Sequence, residues 1–164
     1  MNLLEAKNLY KSFGNINAVS DISISLNVGE VIGFLGPNGA GKSTTMKILT
    51  GFLEADSGSI EIKKIDLSKD PINAKSIIGY LPEGAPSYSD MTVKSFLYFV
   101  GKMRGLKDEL LEKRLEIMLK DINLTEVQNQ IIETLSKGYK RRVGIAQALI
   151  PVSYTHLTLP TIRE

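Results

Sequence analysis

No other stretch narrows the possible folds of this chain as much as a glycine-rich segment in its first third, which reads Gly36-Pro37-Asn38-Gly39-Ala40-Gly41-Lys42-Ser43-Thr44. It satisfies the pattern G-x-x-x-x-G-K-[ST] of a phosphate-binding loop, which joins a strand to a helix. The run Glu30–Leu35 stands directly before it and is apolar, as in strands covered on both faces. We therefore expect a buried parallel strand, then the loop, then a helix.

The residue types in this segment suit a polyphosphate. Glycines let the backbone curl so that successive N–H groups point inward, and the following helix directs its positive end at the same place. Lys42 would bind β- and γ-phosphate oxygens, Ser43 would ligate Mg²⁺, and Thr44 would lie near the α-phosphate. The alternative is a glycine-rich turn that binds nothing. The motif by itself is shared by kinases, GTPases and transport ATPases, so it predicts a nucleoside triphosphate site only.

Composition excludes several other classes of protein. The 164 residues carry a net charge of +2, without the basic excess of a nucleic-acid binder, so we expect no nucleic-acid partner. There is no cysteine and a single histidine, His156, which excludes disulfides, thiolate chemistry and a multi-histidine metal site. No apolar stretch approaches the roughly 20 residues of a membrane span, and the charged N-terminus does not resemble a signal peptide. A cytoplasmic location is therefore expected.

Strand patterns dominate the first half of the chain. Residues 22–26 alternate apolar and polar side chains, which is typical of a half-buried strand. Residues 58–62 and 63–66 predict short strands around a turn, and Asp70-Pro71 predicts the start of a helix. The run Ile77–Glu83 predicts a further buried strand that ends in a loop.

Helical periodicity takes over between about residues 91 and 132. Thr92 is a candidate N-cap and Gly105 a candidate stop for the first helix. Two apolar sets are expected to form the core, one on each helix: Val93, Phe96, Leu97, Phe99 and Val100, then Leu110, Leu111, Leu115, Met118, Leu119 and Ile122. A later helix is expected behind Ser136 as N-cap, and its run Lys140-Arg141-Arg142 is interpreted as a solvated face rather than a phosphate site.

The wording of the phosphate loop closely resembles that of the ATP-binding subunits of ABC transporters. In that family an aromatic residue before the loop stacks on adenine, a role that falls on Phe13, with Tyr10 as a rival whose spacing fits less well. A loop glutamine that touches Mg²⁺ and the attacking water is replaced here by Glu83, for which a solvent-facing carboxylate is the alternative reading. The resemblance keeps a metal role for Glu83.

A second family motif, Leu-Ser-Gly-Gly-Gln, is matched by Leu135-Ser136-Lys137-Gly138-Tyr139. The resemblance implies that Ser136 donates to a γ-phosphate and that Gly138 permits close approach to it. Lys137 and Tyr139 depart from the motif, a variant that we associate with bacterial exporter ATPases of the multidrug, polysaccharide and gliding-motility branch. Tyr98 or Phe99, on the preceding helical segment, are minor candidates for contacting membrane subunits.

The resemblance implies an α/β fold: an ABC-type P-loop NTPase core with an antiparallel β subdomain and a helical subdomain, incomplete at the C-terminus. The expected bounds are 1–151 for the partial ATPase domain, with 1–90 as β subdomain and part of the core, 91–132 as helical subdomain and 133–150 as signature motif and helix. The family continues with an apolar strand ending in Asp-Glu and a later switch histidine, neither of which follows Ile150.

Residues 152–164 are expected to be a non-native tail. Val152 to Thr161 reads Val-Ser-Tyr-Thr-His-Leu-Thr-Leu-Pro-Thr, which resembles one translated frame of a transposase-type sequencing adapter. His156 is therefore not interpreted as the switch histidine. Without the Asp-Glu strand beside the phosphate-loop strand, the sheet would expose Val31, Ile32 and Phe34.

For function, the resemblance implies a subunit that binds ATP with Mg²⁺ and hydrolyses it to drive a membrane exporter. The implied partners are a membrane-spanning permease subunit and a second ATPase subunit in a head-to-tail dimer, at the inner face of the cell membrane. Two alternatives remain: a nucleotide-binding fragment without hydrolysis, and a non-transport ABC ATPase. The transported substrate is not encoded here.

Overall fold

The computed structural model describes residues 2–82 and 88–151, so Glu83 and the tail 152–164 lie outside the described residues. The elements, in chain order, are β1 (Asn2–Phe13), β2 (Ile16–Asn27), α1 (Lys42–Leu49), β3 (Ser57–Ile62), β4 (Ile65–Asp66), α2 (Pro71–Ser76), α3 (Val93–Met103), α4 (Asp108–Asp121), 3₁₀ turns at Thr125–Val127 and Ile132–Thr134, and α5 (Lys137–Leu149). Within this described part, no helix has the length and apolar character needed to cross a membrane.

The chain divides into two compact units, residues 1–78 and 79–164, and each is described by itself. The predicted boundaries at residues 90, 132 and 151 stay predictions.

The first unit is built on an antiparallel sheet of order β2-β1-β3-β4. The alternating pattern of residues 22–26 is confirmed as part of β2, where Ile24 pairs with Ala6 of β1. Ala6 also pairs with Ile60 of β3, so one face of three strands carries apolar side chains. Helices α1 and α2 cover this face, and the resulting core contains Ala6, Leu9, Val19, Ile48, Leu49, Ile60, Ile62 and Ala74. The predicted start of α2 is confirmed, since the Asp70 side chain accepts a hydrogen bond from the Asn73 N–H.

Two strand predictions are wrong. Neither Glu30–Leu35 nor the described part of Ile77–Glu83 forms a strand. Val31 is 94% exposed, Leu35 is 96% exposed and Ile32 is 40% exposed. Phe34 is half-buried against the sheet core. The physical reason is that strand backbone needs hydrogen-bonding partners on an adjacent strand, and no other strand among the described residues pairs with either run.

The second unit is a helical cluster. The Thr92 side chain caps α3 by accepting from the Ser95 N–H at 3.2 Å, and Gly105 follows the helix at φ +80°, which confirms the predicted start and stop. The buried side chains of α3 and α4 are expected ones, on one stripe of each helix: Val93, Phe96, Leu97, Leu111, Leu115, Met118 and Leu119. The same core also contains Val143 and Ala146 of α5, Ile150 just after it, and four residues in or beside the 3₁₀ turns: Leu124, Val127, Ile132 and Leu135.

Two expected core residues of this unit are largely on its surface. Leu110 is 46% exposed because it lies one position before the buried stripe that starts at Leu111. Phe99 is 37% exposed and contacts the ring of Tyr88 at 5.4 Å between centroids. The core of the unit therefore depends on fewer side chains than the apolar pattern indicates.

The turn between β3 and β4 is strained. Lys63 and Lys64 both have positive φ, at +49° and +69°, in a two-residue hairpin loop that favours Asn-Gly. Lys63→Asn combined with Lys64→Gly should raise the free energy of unfolding by about 1 kcal/mol, because it removes a side-chain clash from the left-handed region. Urea unfolding followed by circular dichroism measures this difference.

A double alanine variant at Lys63 and Lys64 is the matched control for that turn. It removes both charges and leaves a Cβ atom at each left-handed position, so it should bring little or no gain. Equal stabilisation by both variants would assign the effect to charge repulsion between the lysines and contradict the backbone explanation.

Candidate functional site

The phosphate-loop segment curls immediately before α1. Gly39 and Gly41 adopt φ +85° and +79°, a region that favours glycine, and Gly41 is the N-cap of the helix. The Ala40 N–H donates to the Pro37 carbonyl at 3.3 Å. Within the described residues, no hydrogen bond takes up the N–H groups of Gly39, Gly41 and Lys42. These donors stand at the positive end of a helix, where an anion is stabilised.

Lys42 holds the loop together in this structure. Its Nζ donates to the carbonyls of Gly36 at 2.7 Å and Pro37 at 2.6 Å. The ammonium group therefore folds back onto the start of the loop, although its backbone stands at the end of it. Ser43 follows at an exposed position and Thr44 at a half-buried one. The predicted residues 36–44 are thus brought together, with the N–H, ammonium and hydroxyl donors that a polyphosphate requires.

Thr45 was not singled out from the sequence, although it secures the loop to the helix. It is the buried polar residue of this region, and its backbone N–H and Oγ1 both donate to the Gly41 carbonyl, at 2.8 and 3.0 Å. A second hydroxyl after the Lys42-Ser43 pair could have suggested this, since Ser and Thr side chains often bond to a carbonyl one turn earlier.

The phosphate loop packs against the β1–β2 hairpin. A Cβ atom added to Gly41 would lie 2.1 Å from the Ala18 carbonyl oxygen and 3.8 Å from Val19, both on β2. Val19 pairs with Lys11 across the hairpin, and Phe13 pairs with Ile16 at its end. The hairpin that ends in Phe13 therefore lies directly beside the loop.

Phe13 is 49% exposed and Tyr10 is 42% exposed, so each of these candidates for adenine stacking has part of its ring accessible to a ligand. They differ in their neighbours, because Tyr10 pairs with Ser57 of β3 whereas Phe13 pairs with Ile16 on the hairpin that touches the loop. The Nζ of Lys11 lies 5.7 Å from the centroid of the Phe13 ring, within the range of a cation–π contact.

Sequence reasoning missed Asp56, which lies just before β3 and contacts the strand end that carries Phe13. One carboxylate oxygen accepts from Lys11 Nζ at 2.7 Å and the other from the Ser12 N–H at 2.7 Å. These two hydrogen bonds hold the pKa of the Asp56 carboxyl below its usual value, that from Lys11 being the stronger cause. The only signal in the sequence was an acidic residue before a glycine-containing strand, which does not indicate a partner.

The predicted signature segment opens α5. Ser136 is the N-cap, its hydroxyl accepting from the Tyr139 N–H at 3.4 Å, and it is exposed. Gly138 is also exposed. A Cβ atom added to Gly138 would have one neighbour within 4 Å among the described residues outside its own helix backbone, Ser136 Oγ at 3.9 Å. The segment is in the second unit, so its geometry is described apart from that of the phosphate loop.

The basic run on α5 is exposed, as expected for a solvated helix face. Lys140 Nζ donates to the Glu133 carbonyl at 2.9 Å, and the Arg142 guanidinium lies 5.2 Å from the centroid of the Tyr139 ring. These contacts connect the helix start to its own unit.

The N–H, ammonium and hydroxyl groups of the phosphate loop fit a nucleoside triphosphate with a divalent cation. Among the described residues, no group of three or more His, Asp and Glu side chains could hold a metal ion by itself. A cation at Ser43 would therefore share its oxygen ligands with phosphate and water, which is the usual coordination of Mg²⁺. Glu83, the other predicted metal ligand, lies outside the described residues.

Comparison with known proteins agrees with this geometry. The ABC transporter domain family matches residues 19–155. The chain is 41% identical over 148 residues to the linearmycin resistance ATP-binding protein LnrL of Bacillus subtilis, covering 90% of this chain and 48% of LnrL. It is 38% identical over 152 residues to the lipopolysaccharide export system ATP-binding protein LptB of Escherichia coli K12, covering 91% of this chain and 63% of LptB. The chain thus spans about half to two thirds of the length of these relatives.

Solved structures show the same similarity. An ATP-binding subunit of an ABC transporter superposes with a TM-score of 0.80 at 31% identity, covering 91% of this chain and 62% of that one. The ADP conformation of the ATP-binding cassette MJ1267 gives 0.77 at 28% identity, covering 92% and 65%. The family match over residues 19–155 shows that this chain belongs to the ABC transporter family, in which the relatives named above are ATP-binding proteins.

Proposed function

We propose that this protein binds ATP with Mg²⁺ and hydrolyses it to drive a membrane-embedded ABC exporter. The observation that carries the nucleotide site is the curled loop of residues 36–44. The Lys42 ammonium group lies against this loop, and the N–H groups at the start of α1 have no partner among the described residues. Mg²⁺ would neutralise part of the charge on the β- and γ-phosphates. Export rather than import is supported by the names of two relatives, which refer to linearmycin resistance and lipopolysaccharide export.

Each predicted site residue has a role in this proposal. Lys42 moves from the Gly36 and Pro37 carbonyls to phosphate oxygens, and the loop N–H groups bind the remaining oxygens. Ser43 and Glu83 hold the Mg²⁺, and Phe13 stacks on adenine. Ser136 and Gly138 contact the γ-phosphate of the ATP that is bound to a second subunit. An exposed N-cap hydroxyl and a glycine with open space around it permit the close approach of an anion.

We infer that two subunits associate head to tail about a two-fold axis, with each ATP between the phosphate loop of one and the Ser136 segment of the other. A membrane-spanning permease subunit would transmit the closing and reopening of this pair. The protein would then lie in the cytoplasm, against the inner face of the membrane. Co-purification with a membrane protein encoded by a neighbouring gene, and ATP turnover that transport stimulates in proteoliposomes, test this assignment.

The dimer can be tested at Ser136. Ser136→Arg should leave ATP affinity of the monomer within about twofold and block ATP-dependent dimerisation, because a large cation would occupy the place of the hydroxyl. Light scattering after gel filtration, with ATP and without Mg²⁺ to prevent turnover, measures the dimer.

Two further variants separate this effect from loss of the N-cap, which costs about 1 kcal/mol of stability. Ser136→Asp keeps the cap and should also block the dimer, since a carboxylate repels the γ-phosphate. Ser136→Thr keeps both cap and hydroxyl and should dimerise. Normal dimerisation of the arginine and aspartate variants would contradict the role of this segment.

A further inference from the structure

We propose that Asp56 is a positioning residue for adenine recognition: it holds the end of β1 so that Phe13 keeps one face available to the base. This inference rests on the proposed function, because it assumes that Phe13 stacks on ATP. Asp56 lies just before β3, 43 positions after Phe13 in the sequence. Asp56 would not touch the nucleotide itself and would act through Lys11 and Ser12.

Asp56 lies where the regular pairing of β1 with β3 stops. The pairing of β1 with β3 ends at Tyr10 and Ser57, so the last residues of β1 have no β3 partner. The Asp56 backbone N–H donates to the Tyr10 carbonyl at 2.8 Å, and its side chain accepts the Ser12 N–H two residues further on. The carboxylate thus continues the hydrogen bonding to β1 beyond the first residue of β3, toward Phe13.

Lys11 connects Asp56 to the Phe13 ring. Its side chain is only 16% exposed, and its ammonium group bonds Asp56 while lying 5.7 Å from the Phe13 ring centroid. A lysine head group without an acceptor would extend into water. The carboxylate keeps the cation against one side of the ring, and about half of the Phe13 surface remains exposed for a base.

The end of β1 that carries Phe13 is irregular. The pairing of β1 with β2 shifts register between Leu9 and Lys11 and again between Lys11 and Ser12. Such irregularities bend a strand and re-aim its side chains. A charged acceptor that bonds both a backbone N–H and a side chain across the bend selects one conformation of it.

The test compares two ligands of the full chain, Mg²⁺-ATP and inorganic tripolyphosphate with Mg²⁺, by titration calorimetry. Both need the phosphate loop, whereas only ATP has a base to stack. Phe13→Ala should lower ATP affinity by about 5- to 150-fold, the range expected for one base–aromatic contact, and leave tripolyphosphate unchanged. Asp56→Ala should lower ATP affinity about threefold or more, also without affecting tripolyphosphate.

A double variant tests whether the two residues act together. If Asp56 works through Phe13, Asp56→Ala should bring no further loss of ATP affinity in the Phe13→Ala background. Asp56→Asn keeps an acceptor for the Ser12 N–H and loses the charge on Lys11, so it should show a smaller, selective loss.

Asp66→Ala is the matched control in the same unit. The pKa of Asp66 is lowered to about 2 by hydrogen bonds from the Ser68 hydroxyl and N–H, so this carboxylate also secures a turn. Its removal should change thermal stability without changing the ratio of ATP to tripolyphosphate affinity. An equal loss of both ligands in Asp56→Ala, or no loss in a folded variant, would overturn the inference while Phe13→Ala remains selective. An unselective Phe13→Ala would instead reject stacking, and with it the role of Phe13 in the proposed function and this inference.

Discussion

Lys42→Ala should lower ATP affinity by about 100-fold. The ammonium group supplies the compact charge of the phosphate loop, and no other side chain bonds the Gly36 and Pro37 carbonyls among the described residues. In the proposed function, these two hydrogen bonds would be exchanged for bonds to phosphate when a nucleotide enters, so the loss is expected in binding. Titration calorimetry with ATP measures it.

Lys47→Ala is the matched control for the Lys42 prediction. Lys47 is exposed in the last turn of the same helix, so its removal changes the net charge of α1 by the same amount. It should leave ATP affinity within about twofold, because its exposed charge lies at the opposite end of the helix from the loop and is screened by solvent and salt. An ATP affinity of Lys42→Ala that equals that of the unmodified chain would contradict the phosphate site.

Gly41→Ala should both destabilise the first unit and weaken ATP binding. At φ +79° an alanine is strained by about 1 kcal/mol, and its Cβ would lie 2.1 Å from the Ala18 carbonyl oxygen. A backbone atom of a paired strand cannot move aside cheaply, so we expect a total loss of roughly 2–4 kcal/mol in the free energy of unfolding. The loop must also shift, and ATP affinity should fall about tenfold or more. Urea unfolding and ATP titration give the two values.

Gly39→Ala separates strain from collision. Gly39 has a nearly equal φ of +85°, but nothing lies within 4 Å of the place of its Cβ. This variant should therefore lose only about 1 kcal/mol of stability. If Gly39→Ala and Gly41→Ala are equally destabilised, the contact between the loop and β2 does not limit the fold.

Much of the site could be predicted because its determinants are local. The phosphate loop, the N-caps at Asp70, Thr92 and Ser136 and the stop at Gly105 each depend on residues within one turn of one another. Side-chain periodicity likewise predicted α3 and α4, since a stripe every three or four residues is a property of the helix itself. The same reasoning failed at Leu110, where one position decides between the core and the surface.

The tertiary structure decided the contacts between distant parts of the chain. The apolar pattern of Glu30–Leu35 is typical of a buried strand. Strand formation also requires a neighbouring strand to pair with, and the run itself does not encode that neighbour. The Asp56 carboxylate bonds a backbone N–H 44 positions away, and Gly41 is confined by Ala18 on β2. The sequence by itself thus determined which segments could bind phosphate and begin helices, because short-range geometry follows from residue type. Folding alone placed the Phe13 hairpin beside that loop, because only packing of the sheet brings these residues within hydrogen-bond and contact distance.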